Sequence, residues 1–292
     1  MHAQISSFMN QSCFYNFYIQ ALNIFLLVLN TTVHHQLLHQ GLRQYFHRMV
    51  ICLEDEVLPF VPIIIQSLGP NQNTGLLLEF IPLLNQIVMK FKASIAPFLS
   101  EVFMTIVRSV LAHANDDTLS DLPSIKRAYF QFIHAIASNK ITTVIFNQKS
   151  GDLETVLTTL IEGASDAMDV TSQKTCFQIL NILIQNWPKD CGVQLWNFIT
   201  MHIIPSCFLA PLNPKFDLKD AQTVLALNES TYLMKTVFTK EGLKLDSFLK
   251  EQYLASLNMS PDLIKEYCEA LAHMDIRNFR TYIKSFFIRA KT

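Results

Sequence analysis

Asp121-Leu-Pro-Ser124, Asp169-Val-Thr-Ser172 and Asp217-Leu-Lys-Asp220 each open a long run of apolar residues at helical spacing, and the three leading aspartates stand 48 residues apart both times. Ser260-Pro261-Asp262 opens another such run. Aspartate and serine accept the backbone N–H groups that the first turn of a helix leaves unpaired, and proline fits that turn, so each segment is a start signal with a mechanism. A start recurring every few tens of residues, with one helix pair per period, is the signature of HEAT and armadillo arrays.

Working outward, each period holds a second helix. Glu56-Val-Leu-Pro-Phe60 and Ser94-Ile-Ala-Pro-Phe98 place Pro-Phe at a 38-residue interval near the beginning of apolar runs, where proline is tolerated. The pattern predicts helices near 14–31, 36–52, 54–68, 74–92, 95–113, 122–139, 152–167, 171–187, 191–209, 218–238, 241–257, 261–272 and 275–290. No run alternates with period two, and the β-branched segment Ile141 to Ile145 is too short to build a sheet. The expected fold is all-α, a HEAT-like α-solenoid of stacked antiparallel helix pairs, in which each pair covers the apolar face its neighbour leaves bare.

Composition agrees. Half of the 292 residues are hydrophobic and only 16% are charged, so neighbouring segments must cover much of the surface of each element. Seven glycines supply few positive-φ positions for hairpins or dinucleotide loops. The net charge of −1 gives no global field that attracts nucleic acid, and a basic patch has to be local. The six cysteines lie far apart, with no zinc-knuckle spacing, and read as buried free thiols of a reducing compartment. Residues Phe14 to Val33 carry no charge, but Asn16, Gln20, Asn23 and Asn30 recur along one helical stripe and no basic region precedes them. That pattern reads as an amphipathic, core-facing helix rather than a membrane span or signal.

Catalytic constellations are weak. His35-Gln-Leu-Leu-His39 has the spacing of a zincin helix, yet Gln36 stands where the general base would be. Glu54-Asp55-Glu56 is a carboxylate cluster whose consecutive side chains point about 100° apart on a helix, which suits helix-start acids better than an acid and base pair. There is no phosphate-cradling glycine loop and no nucleophile elbow. No enzyme, metal or cofactor is expected.

The final helix concentrates positive charge. Phe279, Ile283, Phe286, Phe287 and Ala290 form its apolar stripe, while Arg277, Arg280, Lys284 and Lys291 project within about 60° of one another and Arg289 lies elsewhere on the circumference. This is either a solvated face with cations suited to a helix C-terminus, or a phosphate-binding stripe. Lys126, Lys174, Lys219 and Lys265, spaced by 48, 45 and 46 residues, suggest a weaker ladder along one edge of the stack. Lys126 and Lys174 join the stripe as candidate nucleic-acid contacts.

Leu53-Glu-Asp-Glu-Val-Leu-Pro-Phe60, Glu79-Phe-Ile-Pro-Leu-Leu-Asn-Gln-Ile87, Gln173-Lys-Thr-Cys-Phe177, Cys207-Phe-Leu-Ala-Pro-Leu212 with Phe216-Asp-Leu, Asp220-Ala-Gln-Thr-Val-Leu-Ala-Leu227 and Phe286-Phe-Ile-Arg-Ala-Lys291 are long strings. Together they resemble the exportin-T family. The resemblance is collinear over 37–292 and covers the C-terminal part of that family, with 1–36 a divergent helical segment. It implies a HEAT-repeat receptor of the importin-β superfamily that carries tRNA from nucleus to cytoplasm with Ran-GTP, passes nuclear pore proteins and needs no membrane. It also implies that the repeats that grip Ran lie outside this chain. The other reading left open by the residues is a protein-interaction scaffold of another trafficking pathway, without RNA contact.

Overall fold

The computed structural model describes residues 11–29, 35–67, 74–114 and 122–291. Every regular element among them is helical, and they divide into two compact units, 1–148 and 149–292.

In the first unit the helices are α1 (Gln11–Leu29), α2 (His35–Cys52), α3 (Phe60–Ser67), α4 (Thr74–Phe91), α5 (Ala96–Ala114) and α6 (Leu122–Ser138), followed by a single helical turn, Thr143–Phe146, in the β-branched segment. Alternate helices pack on one another, α2 on α4 and α4 on α6 in one layer, α3 on α5 in the other. The interval of 38 residues between the two Pro-Phe pairs marks a repeated elbow. Glu54 (φ 50°) and Lys92 (φ 49°) take the left-handed conformation, a 3-10 turn follows in each case (Glu54–Val57, Lys92–Ile95), and the proline-bearing segment then begins the next helix. Glu54, Asp55 and Glu56 are exposed on that turn rather than at the start of a long helix.

The second unit holds α7 (Ser150–Ser165) and α8 (Val170–Gln185). Next come α9 (192–212), in which Ile199–Ile203 forms a wide π turn, and α10 (Ala221–Glu241). Last are α11 (243–256), with a matching π turn at Leu249–Tyr253, α12 (Pro261–His273) and α13 (Ile276–Ala290). Pro205, which has no N–H to give, lies directly after the first wide turn, where a helix tolerates the missing donor. α8 packs along α10 and α10 along α13, while α7 packs on both α8 and α9. The stacked-pair architecture expected from the periodicity is therefore present within each unit.

The caps show where the 48-residue recurrence is real. Asp169 accepts from the Ser172 backbone N–H at 3.3 Å and starts α8. Asp217 does not cap; its carboxylate receives the Lys219 N–H at 2.8 Å in a tight turn, and Asp220, accepting from Thr223 at 2.7 Å, starts α10 three residues later than the recurrence implies. Ser260 and Asp275 cap α12 and α13. Asp121 lies outside the described residues.

Lysines tie helix ends to their neighbours. Lys90 on α4 donates to Val50 O at 2.6 Å near the end of α2, and Lys240 on α10 donates to Ile184 O at 2.7 Å near the end of α8. Lys235 donates to Leu271 O and Met274 O at the end of α12. The last carbonyls of a helix have no intrahelical donor and carry the negative end of its dipole, so an ammonium from the next helix satisfies both.

The core of the second unit ends in an aromatic cluster. Phe208 of α9 meets Tyr267 of α12 at 5.2 Å between ring centroids and Phe287 of α13 at 5.9 Å, and Tyr267 meets Phe286 at 4.8 Å. All four are buried. Of the cysteines, Cys176, Cys207 and Cys268 are buried thiols as expected, Cys191 is half-buried, and Cys52 is exposed because it sits on the last turn of α2. The side chains of Cys13, His35 and His39 are not among those described. Along α1, Leu22 is buried and Asn16, Gln20 and Asn23 are exposed as the stripe requires, but Phe17, Ile24 and Leu27 are exposed as well. Two stretches, 80–112 and 189–212, are long and apolar enough to cross a membrane by length and composition, yet half of each apolar window is packed inside its unit.

Phe208→Ala should destabilise the protein by about 3–5 kcal/mol, because the ring joins three helices and its removal leaves a cavity; a urea titration followed by circular dichroism measures it. Arg289 holds Glu266 by two hydrogen bonds of 2.8 Å and depresses its carboxyl pKa. That stabilisation is present above the ordinary glutamate range and disappears as pH falls through the depressed value. Melting temperatures of wild type and Glu266→Gln should therefore converge on acidification, and a constant difference from neutral to acid pH would contradict the pairing.

Candidate nucleic-acid interface

α10 and α13 run antiparallel, with Arg280 beside Tyr232 and Met274 beside Lys235. Between the first half of α10 and the outer face of α13 lies a groove of about 360 Å³. Its lining is Val224, Leu227, Asn228, Arg277, Arg280, Thr281 and Lys284. The register follows from packing: Phe279, Ile283, Phe286 and Phe287 are drawn into the core, which turns 277, 280 and 284 outward together.

Three cations thus share one groove. None of the three takes part in an ion pair within 4 Å among the described residues, and the nearest carboxylate on their own helix, Asp275, is occupied by the Asn278 N–H at 2.9 Å and its amide at 2.6 Å. The N–H groups of Asn278 and Arg277, the Asn278 amide and the charge of Arg277 hold the Asp275 carboxyl below its usual range, so it stays ionised. The Arg280 guanidinium lies over the Tyr232 ring, 5.3 Å from its centroid, and reaches the phenol oxygen at 3.4 Å. A cation–π contact of this kind orients the guanidinium without neutralising it.

Lys291 is not part of the groove. Lys291 caps the end of α13 with its backbone still helical, but its side chain is drawn away from the stripe. Its ammonium donates to Asn213 O at 3.0 Å and Phe216 O at 2.9 Å, binding the last residue of the helix to the turn between α9 and α10. Burial lowers its pKa. Arg289, as the sequence implied, stands apart on Glu266.

The lysine ladder is not assembled in one groove either. Lys126 is exposed on α6 in the first unit. In the second, Lys174 is half-buried on α8, Lys219 sits in the turn before α10 and Lys265 is exposed on α12, a helix outside the α8–α10–α13 layer. Within the second unit the ladder is interrupted because the last period is built differently: α12 packs chiefly against α11 and α13 and less against α10, while α13 lies along α10.

Sequence reasoning found the α13 half of the groove and missed the α10 half. Asn228, Tyr232, Lys235, Thr236, Thr239 and Lys240 follow the three- and four-residue spacing of one helical face. The signal was present, but α10 is apolar on two sides, and the polar strip left between them is narrow.

The exportin-T family profile matches residues 2–291. Exportin-T of Homo sapiens is 41% identical over 282 residues, exportin-T of Danio rerio 42% over 282 residues, and exportin-T of Mycosarcoma maydis 28% over 267 residues. These alignments cover 94%, 94% and 86% of this chain. The chain spans 29% of the length of the human and zebrafish relatives and 24% of the fungal one. With the profile running through nearly every residue of both units, the chain belongs to the exportin-T family.

Proposed function

We propose that this chain is the tRNA-gripping C-terminal part of an exportin that carries tRNA from the nucleus to the cytoplasm together with Ran-GTP. Membership of the exportin-T family supports the transport role, and the observation that carries RNA contact is the convergence of Arg277, Arg280 and Lys284 on one groove. By the 1.5 Å rise of a helix, the three stand at axial steps of about 4.5 and 6 Å, so they reach successive phosphates of one strand. Such contacts hold a folded RNA by its backbone, independently of base sequence. Lys126 and Lys174 offer further phosphate contacts from α6 and α8.

The role is that of a receptor rather than a catalyst. Ran-GTP and nuclear pore proteins act through the longer protein of which these repeats are a part, and the protein shuttles between nucleus and cytoplasm without a membrane stage. The region 37–292 carries the exportin-like repeats and 1–36 is the divergent segment preceding them.

Titrating a tRNA against the chain at increasing salt tests the RNA contact. Reversing all three charges, Arg277→Glu, Arg280→Glu and Lys284→Glu, should weaken binding at low salt and flatten the slope of log K against log salt by about 2 to 3, one counterion being released per phosphate neutralised. Lys291→Met is the control: it should lower the melting temperature, since it frees the turn after α9, and leave the slope unchanged. An unchanged slope in the triple variant would remove the groove from the RNA-binding surface.

A further inference from the structure

A second opening, of about 750 Å³, continues the groove along α10 toward the start of α13. Its size falls within the roughly 300–1,000 Å³ range of small-ligand sites. Tyr232, a residue 37% exposed, lines the second opening and touches Arg280 of the first, and around the second one lie Lys235, Thr236, Thr239, Lys240 and Asp275. We propose that this opening takes one unpaired nucleotide, its base against the Tyr232 ring, while the adjoining phosphates of the same strand rest on Arg280, Arg277 and Lys284.

Three observations carry the assignment. The Arg280 guanidinium fixes the ring in orientation, 5.3 Å from its centroid, and an oriented aromatic surrounded by cations is the platform on which a base stacks. Lys240 keeps donors in reserve, since an ammonium has three and it spends one on Ile184 O, while Lys235, bonded to Leu271 O and Met274 O and lying over the Phe279 ring, contributes positive charge beside the opening. Asp275 gives the opening a polarity that a phosphate site lacks. Its carboxylate accepts from the Asn278 N–H and amide and from the Arg277 N–H, and the lone pair left over suits the exocyclic amine of a base.

The same carboxylate distinguishes the ligand from an acidic peptide. A glutamate-rich chain lying on Arg277, Arg280 and Lys284 would bring further negative charge beside Asp275, whereas a base brings N–H donors to it. The two openings therefore match the two ends of a nucleotide, phosphate on the cationic side and base on the mixed side.

The inference rests on the RNA-binding reading above, and the test separates the two. The probes are a blunt RNA duplex and the same duplex with a short single-stranded extension, titrated against the 292-residue chain. Wild type should bind the extended RNA about tenfold more tightly, a preference that Tyr232→Ala abolishes and Tyr232→Phe retains, since stacking uses the ring and not the hydroxyl. A 2-aminopurine in the extension should lose fluorescence on binding wild type and Tyr232→Phe, and keep it with Tyr232→Ala. Equal affinity for the two RNAs in wild type, a preference that survives Tyr232→Ala, or poly-glutamate competing as well as the extended RNA overturns the nucleotide site. Loss of affinity for both RNAs on charge reversal, with no preference between them, would leave the backbone contact standing and the nucleotide site refuted.

Discussion

The burial of each helix on two sides is the constraint on which the second unit depends. One helix pair leaves an apolar face bare, and only the next pair can cover it. α10 shows what this demands of a sequence. It packs against α8, α9, α11, α12 and α13, and its buried residues include Ala226, Leu227, Leu233, Met234 and Val237 together with Thr223, Ser230 and Thr231. The hydroxyls are affordable inside because they bond to their own helix, Ser230 and Thr231 both to Leu227 O, and their small size lets the neighbouring helices approach. Little circumference remains for solvent, and that remainder is the strip running from Asn228 through Tyr232 to Lys240.

The lysine ties follow from the same stacking. A helix that ends against a neighbour presents carbonyls that no residue of its own can reach, and leaving them bare where water is scarce is costly. Lys90, Lys235 and Lys240 meet that requirement from the helix alongside, so a contact that satisfies a local need also sets how far one helix slides along the next. Lys235 and Lys240 are partly desolvated by this arrangement and their pKa values fall. They nonetheless line the opening beside Tyr232, so the groove inherits cations that the fold had already placed.

Much of the architecture was legible in the sequence because helix starts are local chemistry. Asp169 and Ser260 cap where their spacing indicated, and the recurrence of Pro-Phe marked a repeated left-handed elbow. Reading failed where the outcome depended on neighbours. Asp217 and Asp220 are both competent caps, and the turn held by Asp217 gives the role to Asp220. Lys291 lay on the right side of the helix, but two carbonyls in the α9–α10 turn capture its ammonium. The periodic lysines suggested a ladder because their spacing assumed identical repeats, whereas α13 displaces α12 from the layer beside α10. Of the groove itself, one wall could be read from the stripe on α13. The other was present as a narrow polar strip on α10, but only packing shows that this strip is the one left uncovered.

A chain with net charge −1 holds a cationic groove, and the combination has a physical consequence. Without a global positive field, an RNA far from the surface is not drawn in, since at physiological salt the potential of a few charges fades over about 8 Å. On the RNA-binding reading proposed above, attraction begins only when a phosphate strand has come close to Arg277, Arg280 and Lys284, with which no carboxylate forms an ion pair within 4 Å among the described residues. Carboxylates elsewhere, such as Glu266 on Arg289 and Asp246 on Lys250, hold their own cations in place and out of competition. On that reading binding is governed by shape, by whether a backbone can present its phosphates along α13 while the rest of the molecule clears the helices on either side. A uniformly basic surface would grip any polyanion; a neutral one with a local basic groove demands a fit.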